Sequence, residues 1–298
     1  MSVAAGTSAK RLAGESDLSR AVDELAECTL IRPLQSNLFE ITFRAPELAR
    51  RAQPGEFAQI WVDPGPRPLL RRPFSFSRAK PVSGLISFYL GAVGEGSRRL
   101  RGFSPGRKAR ILGPLGRGFT LPDRPGRSLL LSGGLGAAPF PLLAERLHRL
   151  GEELVWINGA RTATELYPEE LLPGGLAEVA IFTEDGSRGE AGRVTSGLAP
   201  WLSRVDRVYA CGPNPMLAAV FQLLAEVAGS ATAPPALEVS IEAPMGCGFG
   251  TCLACAIPLL PQSAPPEAVL GLCCRQGPVL RGNLLDWERL LLQPAHLR

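Results

Sequence analysis

Histidine is almost missing from this 298-residue sequence: His148 and His296 are the only two. Chemistry built on several imidazoles, such as that of a His-rich zinc hydrolase, is therefore excluded. Uninterrupted apolar runs of about 18 residues, the length that crosses a bilayer, are also missing. Residues 1–25 carry Lys10, Arg11, Glu15, Asp17 and Arg20 rather than the apolar core of a signal peptide, so no membrane partner and a cytoplasmic location are expected. Charge of one sign is scarce too. The net charge is only +4 and aromatic residues make up 6%, which leaves no basic, aromatic-rich stripe for a nucleic-acid partner. The 33 glycines and 28 prolines punctuate apolar runs instead of repeating, which excludes collagen-like and low-complexity chains. What remains is a 45% hydrophobic chain long enough for two or three domains.

Cysteine is where the sequence is rich. Of seven cysteines, five lie together: Cys247, Cys252, Cys255, Cys273 and Cys274. Cys28 and Cys211 are isolated. A secreted disulfide scaffold would be shorter and spread its cysteines more evenly, so the cluster reads as a cytosolic metal site. The segment Met245-Gly-Cys-Gly-Phe-Gly-Thr-Cys-Leu-Ala-Cys255 has C-x4-C-x2-C spacing with a distal cysteine at 273 or 274. That is the plant-type ferredoxin spacing for a [2Fe–2S] cluster. Gly246, Gly248 and Gly250 let a short loop wrap the cluster and bring backbone N–H groups to its sulfurs. The bland alternative is a four-cysteine structural zinc site. Zinc ribbons favour paired C-x2-C units, and only one such unit is present.

The chain divides into three parts. From about 26 to 122 it reads as short strands (38–43, 57–62, 85–90, 109–112) between Pro/Gly turns, a small antiparallel β-barrel. From 123 to 229 the pattern changes to alternating strands and helices: strands at 128–131, 154–158, 178–182 and 207–210, and helices after Pro139, near 194–202 and over 215–228. This predicts βαβ units around a parallel sheet, a nucleotide-binding α/β domain. A Gly-Ser-Ala-Thr-Ala-Pro-Pro linker (229–235) ends it, and the cysteine-bearing domain spans 236–298. Residues 1–25 form an N-terminal extension, read as a tail.

Four further motifs carry chemistry. Gly134-Leu135-Gly136, between a strand and a helix, is a dinucleotide turn without its third glycine, a pattern that purely structural strand-to-helix turns share. Arg71-Arg72-Pro73-Phe74-Ser75 offers an arginine for a pyrophosphate and a hydroxyl for a flavin edge, or a solvated arginine pair on a barrel strand. Gly94-Glu95-Gly96-Ser97 opens a helix and offers a phosphate cradle. Cys211-Gly212-Pro213 lies at the C-terminal end of a strand, where open α/β sheets bind ligands, although a lone cysteine there is more often core.

Taken in this order, with Gly113-Pro-Leu-Gly-Arg-Gly-Phe119 and Thr183-Glu-Asp-Gly-Ser187 between them, the motifs resemble the ferredoxin reductase superfamily. Within it, the chain resembles the electron-transfer subunits of class 1B dihydroorotate dehydrogenases over about 26–285. The resemblance implies that FAD is held by Arg72, Pro73, Phe74 and Ser75, by Tyr89, Leu90 and Gly91, and by Gly96 and Ser97. It implies NAD over Gly134 and Gly136, with Cys211 and Gly212 beside the nicotinamide. It implies Cys247, Cys252, Cys255 and Cys274 as cluster ligands, with Cys274 preferred to Cys273 because Cys274-Arg-Gln-Gly-Pro-Val279 matches the family stretch after the fourth ligand. Arg161 leaves NADP open as the nucleotide, since it could pair with a 2′-phosphate.

Nicotinamide transfers electrons in pairs and a [2Fe–2S] cluster one at a time, so a flavin is the required intermediary. Nothing in the chain resembles an FMN-binding (β/α)8 barrel, so the resemblance implies a separate FMN-containing dihydroorotate dehydrogenase subunit in a heterotetramer, serving pyrimidine biosynthesis. Two other classes stand beside it. One is a reductase subunit for a hydrogenase, a sulfide dehydrogenase or a ferredoxin:NADP oxidoreductase. The other is a non-catalytic, zinc-stabilised interaction module.

Overall fold

The computed structural model describes residues 16–62, 68–228, 234–260 and 269–293. Most of the expected N-terminal extension and of the 229–235 linker lies outside them. The first sheet is built from β1 (Val22–Pro33), β2 (Leu38–Arg44), β3 (Phe57–Trp61), β4 (Arg72–Ser75), β5 (Arg78–Lys80), β6 (Leu85–Gly91) and β7 (Lys108–Leu115), with short helices α1 (Pro46–Arg51) and α2 (Glu95–Arg101) in its connections. All pairings are antiparallel, in the order β4-β3-β7-β1-β2-β6-β5. The two edge strands are neighbours in sequence. Between them, Phe76 N donates to Glu56 O at 3.2 Å and Ser77 N to Ser87 O at 2.9 Å, so the sheet curls until its edges meet. Its interior is a closed apolar set that includes Phe39, Ile41, Phe43, Ile60, Phe76, Phe88 and Ile111. The barrel begins at Val22, four residues before the expected boundary, because Val22–Glu27 pairs with 108–113.

The second sheet comprises β8 (Arg127–Gly133), β9 (Glu153–Ala160), β10 (Leu176–Thr183), β11 (Glu190–Ala191), β12 (Arg207–Cys211) and β13 (Ala236–Ser240), flanked by α3 (Phe140–Arg149), α4 (Ala199–Leu202) and α5 (Asn214–Ala228). A hairpin of β14 (Ala256–Leu259) and β15 (Val269–Leu272) follows, then the single turn α6 (Cys273–Gln276), β16 (Val279–Arg281) and α7 (Trp287–Leu292). The sheet order is β11-β10-β9-β8-β12-β13-β16, parallel throughout except for β16. Its strands read as continuous apolar runs because both faces are covered, as in Leu129-Leu130-Leu131.

The expected start of the cysteine domain at 236 is corrected here. Ala236–Ser240 runs parallel to β12 as a strand of the nucleotide sheet, and β16 caps that sheet on its far side. Five residues of mixed polarity look alike in either domain; the pairing partner decides. One core therefore joins the α/β sheet to the cysteine domain, with Val208, Val239, Leu280, Ile257, Cys255, Cys273 and Cys274 in one contact set. Phe57 and Leu115 of the barrel belong to the same set. Arg117 N donates to Gly277 O at 2.6 Å, and Ser16 N to Arg275 O at 2.8 Å. Barrel, sheet and cysteine loop are thereby packed into one body. No helix among the described residues is long and apolar enough to cross a membrane.

Candidate functional site

The parallel sheet reverses its strand order between β8 and β12, and ligands of such sheets bind at that crevice. The dinucleotide turn and the Cys-Gly-Pro motif meet there. Gly134–Ala137 forms a 3-10 turn, not the first turn of α3, and Gly134 has φ +54° with open space around it. Gly136 lies against the other motif: a Cβ at this position would stand 2.1 Å from Cys211 O and 2.6 Å from Gly212 N. Only glycine fits so close a crossing. Gly136→Ala is expected to destabilise the fold by about 1–3 kcal/mol through overpacking and to weaken nucleotide binding. Denaturant unfolding and nucleotide titration of the variant check both effects. Cys211 is half-buried, and burial pushes its thiol up to about 12, so it stays neutral and serves as packing rather than as a nucleophile.

The flavin motifs lie on neighbouring barrel strands. Of the arginine pair, Arg71 is held bidentately by Asp23 at 2.9 and 2.8 Å, and this contact keeps the Asp23 carboxyl below the usual range. Arg72 instead crosses the start of α2, where its Cγ comes within 2.9 Å of the Cβ position of Gly96. Its Nη1 donates to Leu70 O at 2.8 Å. Arg72 and Gly96, far apart in sequence, thus form one cradle that a side chain on Gly96 would fill. Ser97 closes this turn on itself, its Oγ accepting from Gly94 N at 3.1 Å. Pro73, Phe74 and Ser75 are half-buried on β4. Tyr89 is buried edge-on against Tyr167 at 4.8 Å between ring centres. The Tyr89 hydroxyl is buried without a hydrogen-bond partner, as a polar atom awaiting a ligand would be. Leu90 points into the barrel core, which leaves only its backbone for a cofactor. Gly91 faces Leu135 of the dinucleotide turn, so the flavin and nucleotide motifs adjoin.

The cysteines fall into two pairs. Cys247 N lies 3.4 Å from Cys252 Sγ, and Cys252 N 3.4 Å from Cys247 Sγ. Cys255 Sγ and Cys274 Sγ are 3.2 Å apart. Cys274 shares its proton with Cys255, which lowers the Cys255 thiol to about 6 and raises that of Cys274. Burial works against ionisation of Cys247, but the N–H groups of Cys252, Phe249 and Thr251 outweigh it and bring that thiol down to about 7. Cys273 is fully buried in the shared core, where burial raises its thiol. The neighbouring cysteines are both fully buried, and they differ in that Cys274 Sγ faces Cys255 Sγ. Four cysteines paired in this way suit a two-iron cluster.

The loop glycines keep this arrangement tight. Gly248 and Gly250 have φ +85° and +93°, and their Cβ positions are closed by Gln59 and Arg275 respectively. Sequence reasoning missed Gln59, which reaches the loop from β3. Only the tertiary fold brings it there.

Comparison with known proteins gives the family. Residues 242–286 match the iron–sulfur cluster binding domain of dihydroorotate dehydrogenase B, starting just after β13. The dihydroorotate dehydrogenase B (NAD(+)) electron transfer subunit of Desulforamulus reducens is 34% identical over 85% of this chain and 94% of its own. The chain belongs to this family of electron transfer subunits. The Geobacillus thermodenitrificans member is 36% identical over the same shares. Among solved structures, the NADH-dependent reduced ferredoxin–NADP oxidoreductase superimposes with a TM-score of 0.78 at 25% identity, covering 92% of this chain and 94% of that one. As a dihydroorotate dehydrogenase B electron transfer subunit, the chain is one part of an oxidoreductase, with a ferredoxin reductase-like fold and an iron–sulfur domain at its C-terminal end.

Proposed function

We propose that this chain carries electrons between an FMN-containing dihydroorotate dehydrogenase catalytic subunit and NAD, in a cytoplasmic heterotetramer of pyrimidine biosynthesis. The observation that carries this reading is the junction of the three sites in one body: Gly91 against Leu135, and Gln59 against Gly248. FAD, when bound, exchanges electron pairs with nicotinamide and single electrons with a [2Fe–2S] cluster, which is the chemistry such a relay needs. The chain supplies binding and orientation. Arg72 and the Gly96 turn hold the pyrophosphate of FAD, and the backbone of Tyr89–Gly91 lines its ring. Gly134, Gly136, Cys211 and Gly212 shape the NAD site at the strand-order reversal. Cys247, Cys252, Cys255 and Cys274 would supply the four thiolates of a [2Fe–2S] cluster. Cys252 is exposed and is flanked by exposed Phe249 and Leu253, so the cluster loop is the edge offered to the catalytic subunit. Free cysteines serving as cluster ligands suit the reducing cytoplasm.

NAD rather than NADP follows from Arg161. Its guanidinium is already held by Glu165 at 3.1 and 2.7 Å, beside Glu184 and Asp185, a setting that disfavours a 2′-phosphate. Glu165→Ala is expected to raise NADP affinity roughly two- to fivefold, the strength of an exposed ion pair, with NAD affinity unchanged. Nucleotide titration measures this, and an unmoved NADP affinity would place Arg161 away from the 2′ position.

The reading itself is tested by anaerobic affinity purification of the tagged chain from its own cells, with the bound protein identified by mass spectrometry. Recovery of a dihydroorotate dehydrogenase catalytic subunit supports it. Recovery of a hydrogenase or sulfur-enzyme subunit instead would overturn the partner while leaving the cofactor sites in place.

A further inference from the structure

Gln59 reaches from a barrel strand to the cysteine loop, against Gly248. It sits in the middle of β3, opposite Pro73 of the flavin strand β4 and between Ala58 and Ile60, whose side chains fill the barrel. Strand alternation turns Gln59 to the outer face, the side on which Phe57 joins the core shared with the cysteine domain. Its relative exposure is 0%, and both amide atoms, Nε2 and Oε1, are buried without a hydrogen-bond partner. A barrel strand has no structural need for a carboxamide at this point. Leu or Met would fill the same volume without the cost of burying two unsatisfied polar atoms.

The amide is aimed at the loop. Gln59 Nε2 and Cγ lie 2.8 Å from the Cβ position of Gly248, the residue after Cys247, and Gly248 takes a left-handed backbone with φ +85°. The loop thus bends so that its backbone passes directly over the Gln59 amide. The backbone N–H groups of Cys247, Thr251 and Cys252 already point at the sulfurs of Cys247 and Cys252. The Gln59 amide, still without a partner, stands against the same loop from the barrel side, the side on which the flavin motif lies.

Resting on the iron–sulfur reading above, the geometry points to Gln59 as a positioning residue whose side-chain N–H donates to the sulfur shell of the cluster at the Cys247 end. A donor there stabilises the added negative charge of the one-electron reduced cluster and so raises its reduction potential. Because Gln59 also backs the Pro73 strand, it ties the potential of the cluster to the seating of the loop on the flavin barrel.

The test is an anaerobic redox titration of the purified full chain with dithionite, read by electron paramagnetic resonance of the reduced cluster. It compares wild type, Gln59→Leu and Gln59→Glu. Both variants are expected to retain iron, sulfide and FAD. Both should show a cluster that is about tenfold harder to reduce, a fall of about 59 mV for one electron, with the flavin potential unmoved. A cluster potential equal to wild type in a variant that retains the cluster overturns the proposal. If neither variant holds its cluster, wild-type protein labelled with 15N in the glutamine side chain decides. A 15N coupling to the reduced cluster that is absent from label-free protein and kept in labelled Gln276→Glu supports the contact, and its absence from labelled wild type overturns it. Wild-type protein without iron or sulfide would instead overturn the iron–sulfur reading itself, which keeps the two failures apart.

Discussion

Cys274→Ser is expected to strip the chain of iron and acid-labile sulfide, whereas Cys273→Ser should keep both. The two cysteines are neighbours, so the contrast controls for chemistry, position and surroundings. Both are fully buried, but it is Cys274 whose Sγ faces Cys255 Sγ at 3.2 Å. Loss of one ligand of the 255/274 pair leaves one iron with a single protein thiolate. Cys252→Ser should behave like Cys274→Ser, since it breaks the other pair. In each ligand variant FAD should remain bound, because Arg72, Gly96 and Tyr89 lie on the barrel strands and the helix between them, outside the core that holds the cysteines. Iron and sulfide assays with the flavin spectrum read all of this in one preparation. Full iron in Cys274→Ser, or loss of iron in Cys273→Ser alone, would reverse the assignment of the fourth ligand.

The second large effect is on flavin. Arg72→Ala is expected to weaken FAD binding by about 1.5–3 kcal/mol, the net worth of a hydrogen bond to a charged group, or roughly ten- to a hundredfold. Arg71→Ala should cost far less, because Arg71 is spent on Asp23 and covers the Trp61 ring at 5.7 Å. Equilibrium dialysis or fluorescence recovery of released FAD measures both. Equal loss in the two variants would mean that the pair acts as a surface patch and that the Arg72–Gly96 cradle has no special part.

The cysteine chemistry was legible in the sequence because it is local. Met245 to Cys255 holds three of the proposed ligands and the glycines that let the loop turn, so spacing alone carries the signal. The two-part organisation ahead of it was legible for a similar reason: short strands between Pro/Gly turns change at Arg127 to strands alternating with helices. What escaped was decided by contacts between distant segments. Ala236–Ser240 joins the nucleotide sheet only because β12 lies beside it. The first barrel strand starts at Val22 because 108–113 pairs with it. Gln59 reads as an ordinary polar residue in a strand until the fold sets it against Gly248. The Gly134 turn lacks a third glycine and leads through a 3-10 turn rather than directly into a helix, yet the close crossing at Gly136 shows why two glycines suffice for its contact with Cys211 and Gly212.

The most direct measurement is NADH formation on adding dihydroorotate, without oxygen, to the complex of this chain with its catalytic subunit. The comparison is the same complex carrying Cys274→Ser. Wild type should reduce NAD steadily. The variant complex should form no NADH, although its catalytic subunit still passes electrons from dihydroorotate to an artificial acceptor. Undiminished NADH formation by a variant proven free of iron would contradict the relay, since electrons would then reach the nucleotide without the cysteine site.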